Sequence, residues 1–153
     1  MQHGLCSPLG EISLTHDGER LQALGFTATP APAPASAHPF AHFVGTRLRA
    51  YFAGDLQALR GVPLAPAATA FAARVRTALL ALPPGETLSY GALAARIGAP
   101  TAVRAVARAN ARNPLALVVP CHRVVGKDGS LTGYAFGLAR KRWLLAHERG
   151  NGV

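Results

Sequence analysis

The chain has 153 residues, of which 50% are hydrophobic and 15% charged, with two cysteines and a formal net charge of +9. This composition excludes a disordered tail and a disulfide scaffold, and the length suffices for one or two small domains with a real core. We find no stretch that would span a membrane and no secretion signal, so we expect a cytoplasmic protein with reduced thiols.

The N-terminal part of the chain predicts a small sheet followed by one helix. Alternating polar and apolar residues indicate half-buried strands, an Asp-Gly pair indicates a hairpin turn, and apolar residues three and four positions apart indicate a helix. In chain order these elements are a strand over 11–16, a turn at 17–18, a return strand over 21–26 and a helix over 40–52. The Pro/Ala-rich stretch 27–39 is predicted to be an extended loop without packing. A Gly- and Pro-containing connection over 54–66 then predicts two domains, at 1–63 and 64–153.

The C-terminal part predicts four helices. Apolar stripes, capping residues and Gly or Pro stops indicate helices over 67–82, from Thr87 or Ser89 to Gly98, over 101–110 and over 137–148. The second and third are short and joined by a tight turn, which makes them a helix-turn-helix candidate. Arg104 and Arg108 share one face of the third helix. Its other face is expected to be covered by Val103, Val106 and Ala107.

The net positive charge lies in the C-terminal part. In residues 1–63, four arginines balance four acids, whereas residues 64–153 contain ten arginines and two lysines against three acids. This asymmetry predicts a polyanion-binding face, and arginine binds phosphate well through its forked donors. A generally basic protein without such a face would have the same charge. The helix-turn-helix candidate and the charge together favour DNA binding.

Cys121 is the candidate nucleophile. It follows an apolar run and Pro120, which lacks an N–H and holds the preceding residue extended, so the thiol has a set orientation. His122 is the candidate base, acting through water or a turn because adjacent side chains of an extended segment point to opposite faces. Glu148 is the candidate partner of the histidine, because it projects from the apolar face of the last helix. The alternative is that a single cysteine is a small buried apolar residue, which is the interpretation for Cys6.

A series of motifs occurs in order around the cysteine. The most specific is 120–124 (PCHRV). The others are 84–87 (PGET), 89–91 (SYG), 104–106 (RAV), 109–110 (AN), 113–114 (NP), 133–134 (GY) and the segment from Lys141 to Glu148. Together they resemble the O6-alkylguanine-DNA alkyltransferases, also called methylated-DNA–protein-cysteine methyltransferases. The resemblance is strong over about 71–148, and weaker before Leu64, where 7–10 (SPLG) and 51–54 (YFAG) still look like the family's N-terminal domain.

The resemblance implies an α+β protein. It would have a small N-terminal α/β, ribonuclease-H-like sheet domain and a mainly helical, winged-helix-like C-terminal domain with the helix-turn-helix. The implied function is DNA repair by direct damage reversal, in which the alkyl group of O6-alkylguanine in double-stranded DNA passes irreversibly to Cys121, once per protein molecule. The resemblance implies no cofactor and no metal. We expect a monomer; cooperative binding along DNA and activity on O4-alkylthymine stay open.

The resemblance also implies roles for individual residues. In the reaction, Tyr90 helps rotate the flipped nucleotide and protonates the leaving guanine, His122 and Glu148 relay the thiol proton through water, and Asn113 holds the turn that carries the thiol. The implied DNA-binding residues are Arg104, which fills the gap in the base stack, and Tyr90, Ala105, Arg108, Arg112 and Arg123. The implied substrate-pocket residues are Tyr134, Ala135, Phe136, Val119 and Pro120.

Some positions depart from the family pattern. Ala107 stands where Gly is usual, and Ala72 and Arg76 stand where Gln and Trp are frequent. Phe136 replaces a small residue, so we predict that it narrows the pocket and slows transfer of bulky groups such as benzyl. Three alternatives stay open: a relative that recognises alkylguanine without transfer, a DNA-binding alkylation or redox sensor, and a Cys-His-Glu hydrolase. Transfer that stops at one alkyl group per protein would distinguish the alkyltransferase from all three.

Overall fold

The computed structural model describes residues 1–150 and divides into two compact units. The first unit contains Met1–Ala65 and Pro114–Val118, and the second contains Pro66–Asn113 and the chain from Val119 on. A division along the sequence does not anticipate that Pro114–Val118 returns to the first unit. Elements of both kinds are present, so the chain has the predicted α+β class.

The first unit is built on a three-stranded antiparallel sheet. Its strands are β1 (Gln2–Ser7), β2 (Gly10–His16) and β3 (Leu21–Phe26), in the order β1-β2-β3. The structure confirms the two predicted strands and their hairpin, in which Leu14 lies opposite Leu24. The sequence does not predict β1, because residues 3–5 are buried in succession and do not alternate.

One long helix, α1 (Pro39–Phe52), completes this unit and confirms the predicted helix. Pro39 stands in its first turn, where a missing N–H leaves no hydrogen bond broken. His38 caps the helix, because its Nδ1 accepts a hydrogen bond from the Phe40 N–H at 3.1 Å. The core of the unit includes Ala41, Val44, Leu48 and Tyr51 of this helix and Ile12, Leu14 and Leu24 of the sheet.

The Pro/Ala-rich stretch is packed, in contrast to the prediction. It contains a short 3-10 turn over Ala35–Ala37, and the Ala33 carbonyl accepts a hydrogen bond from the Gly4 N–H at 2.9 Å. A Cβ atom at Gly4 would lie 2.9 Å from the Ala31 Cβ, so the close approach requires glycine.

The interpretation of Cys6 as a buried residue is wrong. Cys6 lies near the end of β1, an edge strand, and is exposed, whereas Cys121 is buried. The Cys6 thiol donates a hydrogen bond to Glu11 Oε2 at 3.3 Å. This bond and the Glu11 charge raise the pKa of the thiol. Cys6 therefore has no feature that would activate it as a nucleophile.

Three histidines form a cluster in the first unit. His16 Nε2 lies 2.8 Å from His3 Nδ1, and the His38 ring lies 4.7 Å from the His16 ring and 5.6 Å from the His3 ring, between centroids. The Met1 ammonium donates to the His16 carbonyl at 2.8 Å. Burial, followed by the charges of His38 and the Met1 ammonium, lowers the pKa of both His3 and His16, with Asp17 acting in the opposite direction on His16. The two rings are therefore neutral in the folded protein at neutral pH.

The second unit contains all four predicted helices. They are α2 (Ala70–Leu80), α3 (Tyr90–Arg96), α4 (Val103–Ala111) and α5 (Leu138–Glu148). Thr69 caps α2, and Ser89, one of the two predicted caps, caps α3. A short parallel pair, β4 (Leu88–Ser89) and β5 (Val124–Val125), joins the start of α3 to the segment that follows the cysteine.

Helices α3 and α4 pack on each other and form the predicted helix-turn-helix arrangement. Val106 is buried on α4, whereas Arg104 and Arg108 are exposed. Val103, which we expected on the face opposite the arginines, is 36% exposed. It is the first residue of α4, one turn before Val106, and burial along the stripe ends there. Within residues 1–150, no helix is long and apolar enough to cross a membrane.

Candidate active site

Cys121 lies at the start of a 3-10 turn over Cys121–Arg123 in the second unit. Pro120 precedes the turn, and the Cys121 N–H donates to the Val119 carbonyl at 2.7 Å. The Asn113 amide also donates to the Val119 carbonyl, at 2.9 Å. The amide of Asn110 donates to the Cys121 carbonyl at 3.2 Å. These bonds fix the backbone on both sides of the thiol.

Cys121 is 6% exposed, and the groups around it shift the pKa of its thiol in opposite directions. Burial raises the pKa of the thiol, while a hydrogen bond from Asn113 and the positive charge of Lys141 lower it. Because burial has the larger effect, the resting thiol is protonated at neutral pH. A base is therefore needed to remove its proton.

His122 and Glu148 form the predicted pair. Both are buried, and His122 Nε2 lies 2.8 Å from Glu148 Oε2. The second ring nitrogen, Nδ1, is buried and has no hydrogen-bond partner within the described residues. The ring is thus oriented through one nitrogen, and the thiol is not bonded directly to the other, as expected for adjacent residues.

Arg123 does not have the predicted place on the surface. It is 7% exposed, and its Nε and Nη2 donate to the two oxygens of Glu148 at 2.8 and 2.9 Å. Its Nη1 donates to the Leu82 carbonyl at 2.6 Å. The assignment of Arg123 as a DNA-binding residue is therefore corrected: its guanidinium is held inside the unit by a bidentate bond to a buried carboxylate.

The charge state of Glu148 follows from these partners. Burial opposes ionisation of the carboxyl, but the charges of His122 and Arg123 and their hydrogen bonds outweigh it and hold its pKa well below the usual range. Glu148 is therefore a carboxylate that accepts from both side chains at once. Such a carboxylate can orient the His122 ring and stabilise it when it gains a proton.

Lys141 is a functional candidate that the sequence analysis did not assign. It is fully buried, and its Nζ donates to the Val124 carbonyl at 2.6 Å and to the Thr132 carbonyl at 2.8 Å. Burial lowers the pKa of Lys141, and the charge of the Cys121 thiolate raises it. The signal was present in the helix pattern, because Lys141 precedes Glu148 by seven residues and shares the buried stripe of α5.

The predicted pocket residues lie on two segments of the second unit. Val119 and Pro120 are buried next to the thiol in the chain, Tyr134 and Phe136 are half-buried and Ala135 is exposed. The Tyr134 and Phe136 rings meet edge to face, with centroids 5.6 Å apart. The Tyr134 hydroxyl is buried without a hydrogen-bond partner in residues 1–150, and burial, with smaller effects of the Cys121 and Glu148 charges, raises its pKa.

Tyr90 is half-buried and is the first residue of α3. The Thr132 hydroxyl donates to its phenol oxygen at 3.2 Å. The phenol hydrogen of Tyr90 is then left for another acceptor, which is what the predicted role as a proton donor requires. Thr132 also links this phenol to Lys141 through its carbonyl.

The remaining predicted DNA-binding residues lie at the surface. Arg104, Arg108 and Arg112 are exposed at four-residue spacing along and just after α4, and Ala105 is half-buried. Side chains at this spacing share one side of a helix. Arginines in such a row can contact successive phosphates. In residues 1–150, no three His, Cys, Asp or Glu side chains are arranged to hold a metal ion.

Comparisons with known proteins agree with this geometry. The family model described as 6-O-methylguanine DNA methyltransferase, DNA binding domain, matches residues 70–150. A methylated-DNA–protein-cysteine methyltransferase of Mycobacterium tuberculosis is 47% identical over 148 residues, which are 94% of this chain and 88% of that protein. Its Salmonella typhimurium counterpart is 51% identical over 102 residues, 67% of this chain, and the match spans only 60% of that protein. A crystal structure of Mycobacterium tuberculosis OGT in complex with DNA superposes with a TM-score of 0.88 at 42% identity, covering 99% of this chain and 94% of that one.

Proposed function

Because this chain belongs to the O6-methylguanine DNA methyltransferase family, we propose that it reverses DNA alkylation damage directly. It transfers the alkyl group from O6-alkylguanine in duplex DNA to Cys121. The observation that carries the proposal is the buried Cys121 turn, whose neighbour His122 is held by Glu148, in the same unit as a helix with exposed arginines.

The chemistry is a single displacement at carbon. The Cys121 sulfur attacks the alkyl carbon, a carbon–sulfur bond forms, and the bond between that carbon and guanine O6 breaks with its electron pair passing to the base. The thiol proton passes through water to His122 Nδ1, and Glu148 stabilises the ring as it becomes charged. Tyr90 donates a proton to the leaving guanine. No cofactor takes part, because the alkyl group arrives on the substrate.

The product explains why each molecule reacts once. A thioether does not hydrolyse under physiological conditions, so the S-alkylcysteine has no second step that would restore the thiol. Lys141 supports the reaction, because its positive charge lowers the pKa of the Cys121 thiol and so favours the thiolate as the proton leaves. We also propose that the protein acts as a monomer in the cytoplasm, where a reducing environment keeps Cys121 a thiol.

The arginine row supports binding to any DNA sequence. Contacts of Arg108 and Arg112 with phosphates hold the helix on the duplex, and Arg104 occupies the space left by the flipped base. Replacement of Arg108 by alanine is expected to weaken binding to all duplexes. It should also reduce the slope of the logarithm of the binding constant against the logarithm of the salt concentration by about one. The double variant Arg123→Met with Glu148→Gln, which leaves no buried charge without a partner, is expected to leave the salt dependence of DNA binding unchanged, because the guanidinium of Arg123 binds Glu148.

The test on the DNA side follows the repaired base. A duplex with one O6-methylguanine in a restriction site is incubated with limiting protein, and cleavage reports restored guanine. The wild type and Cys6→Ala should repair one lesion per molecule, and Cys121→Ala should repair none. Repair that continues beyond one equivalent, or repair by Cys121→Ala, would contradict the proposal.

A further inference from the structure

Asn110 belongs to a motif of the sequence analysis to which no role was given, and its surroundings are unusual for an asparagine. It lies in the last turn of α4 and is 5% exposed. Its Nδ2 donates to the carbonyl of Cys121 itself at 3.2 Å. Its Oδ1 is buried and has no hydrogen-bond partner within residues 1–150.

Packing alone does not explain an amide at this position. A buried polar atom without a partner costs stability, and leucine, which has the same branching and the same number of side-chain heavy atoms, would avoid that cost. The neighbouring buried residue on this face of α4 is Val106, so an apolar side chain would suit the environment. We therefore expect the amide of Asn110 to have a function that compensates for the lost stability. The hydrogen bond to the Cys121 carbonyl is the interaction that leucine could not make.

The position of Asn110 on α4 indicates this function, because the same helix carries the exposed arginines. The same rigid helix presents Arg104 and Arg108 on its exposed side. Just beyond its end, Asn113 binds the Val119 carbonyl at 2.9 Å. The helix that carries the exposed arginines and its C-terminal extension thus bind the carbonyls on both sides of Pro120, through two asparagine amides.

We propose that Asn110 is a positioning residue that fixes the Cys121 carbonyl to α4, so that the helix that binds DNA also sets the orientation of the thiol. This inference rests on the proposed function and deepens it. The residue touches neither the alkyl group nor the thiol hydrogen. Its effect is on the geometry of attack, which must place sulfur in line with the breaking bond.

The first test compares Asn110→Leu with the wild type in single-turnover transfer from O6-methylguanine duplex. Loss of one hydrogen bond to the reacting residue is expected to slow transfer about five-fold. The dissociation constant for DNA is expected to be unchanged. Thr77→Val is the matched control, because it removes another side-chain bond to a carbonyl, the bond from Thr77 to Ala73 at 3.0 Å on an exposed face of α2. Transfer by Asn110→Leu at the wild-type rate, or an equal loss in Thr77→Val, would overturn the inference.

A second variant gives a readout that a purely structural role would not change. In Asn110→Asp, an ionised carboxylate cannot donate to the Cys121 carbonyl, whereas a protonated carboxyl can. The rate of this variant relative to the wild type is therefore expected to rise as the pH falls from about 8 to about 5. The same ratio for Asn110→Leu is expected to be independent of pH. A flat ratio for Asn110→Asp would refute the positioning role.

A third measurement separates this inference from the proposed function. In a Cys6→Ser background, the rate at which iodoacetamide alkylates Cys121 measures thiol reactivity without DNA. Asn110→Leu should not slow this reaction, because it changes orientation and not ionisation. If iodoacetamide alkylation and transfer fall together, the inference is wrong. If the wild type alkylates normally but transfers nothing from DNA, the proposed function is what fails.

Discussion

Glu148→Gln is expected to destabilise the second unit strongly, because the Glu148 carboxylate is the counterion of the buried Arg123 guanidinium. Glu148 accepts from Arg123 Nε at 2.8 Å, from Arg123 Nη2 at 2.9 Å and from His122 Nε2 at 2.8 Å. Glutamine keeps the shape and one oxygen acceptor but removes the charge. The guanidinium of Arg123 then remains buried without its counterion.

The size of the effect follows from the burial of both partners. The side chain of Arg123 is 8% exposed and that of Glu148 is fully covered. Removing one partner of such a pair costs about 3–5 kcal/mol, compared with a total of about 5–15 kcal/mol for a typical domain. The double variant Arg123→Met with Glu148→Gln should recover most of the loss, because no buried charge is left without a partner.

Urea unfolding, monitored by tryptophan fluorescence, measures the loss of stability in the second unit, which contains Glu148. The only tryptophan, Trp143, lies on α5 with Glu148. Glu86→Gln is the matched control, since Glu86 is exposed in the same unit and its replacement should change stability by no more than about 0.5 kcal/mol. A loss below about 1 kcal/mol for Glu148→Gln, or additive losses in the double variant, would refute the account of this pair.

Glu148 also makes the stability of the second unit depend on pH, and its contribution decreases in acid. The pKa of Glu148 is lower in the folded than in the unfolded chain, so the unfolded state binds more protons in acid. Its contribution to stability is present above the unfolded pKa of about 4.3 and is lost as the pH falls below it. The difference between wild type and Glu148→Gln should therefore narrow in acid. A difference that is constant down to about pH 3 would contradict this.

Three further predictions concern other parts of the chain. Thr132→Val removes the hydroxyl that binds Tyr90 and should slow single-turnover transfer about five-fold. Thr132→Ser keeps a hydroxyl and should transfer at the wild-type rate. Equal rates for the two variants would exclude a role for the hydroxyl. Because folding lowers the pKa of both His3 and His16, the first unit should lose stability as the pH falls below about 6.5. The loss should be seen as faster hydrogen exchange of the β2 amides, after correction for intrinsic exchange rates. Protection of these amides that stays constant with pH would contradict this prediction. Phe136→Gly should raise the rate of benzyl relative to methyl transfer by about ten-fold, and equal wild-type rates for the two groups would show that Phe136 does not narrow the pocket.

The sequence predicts elements whose signal is local. Helix α5 could be located from its apolar spacing, and Glu148 stood out because a carboxylate on an apolar stripe needs a partner. Lys141 lies on the same stripe and could have been found by the same argument. The helix-turn-helix followed from the Ser89 cap and the short connection.

Arg123, Cys6 and β1 could not be predicted in the same way, because long-range contacts decide their environments. The guanidinium of Arg123 is directed inward by partners 25 and 41 residues away, Glu148 and Leu82. Cys6 is exposed although residues 3–5 of the same strand are buried, and β1 itself is defined by pairing with β2 and not by its own pattern. Charge and motif alone favoured a DNA contact for Arg123, although its neighbours in the turn are buried.

The most direct test of the central claim is the intact mass of the protein after incubation with excess duplex containing one O6-methylguanine, followed by fragmentation to locate the added group. The account predicts one methyl group on Cys121, no further addition with time, none on Cys6, and no change in Cys121→Ala. An unchanged mass despite tight binding to the lesion would contradict the account and leave a protein that recognises alkylated DNA without repairing it.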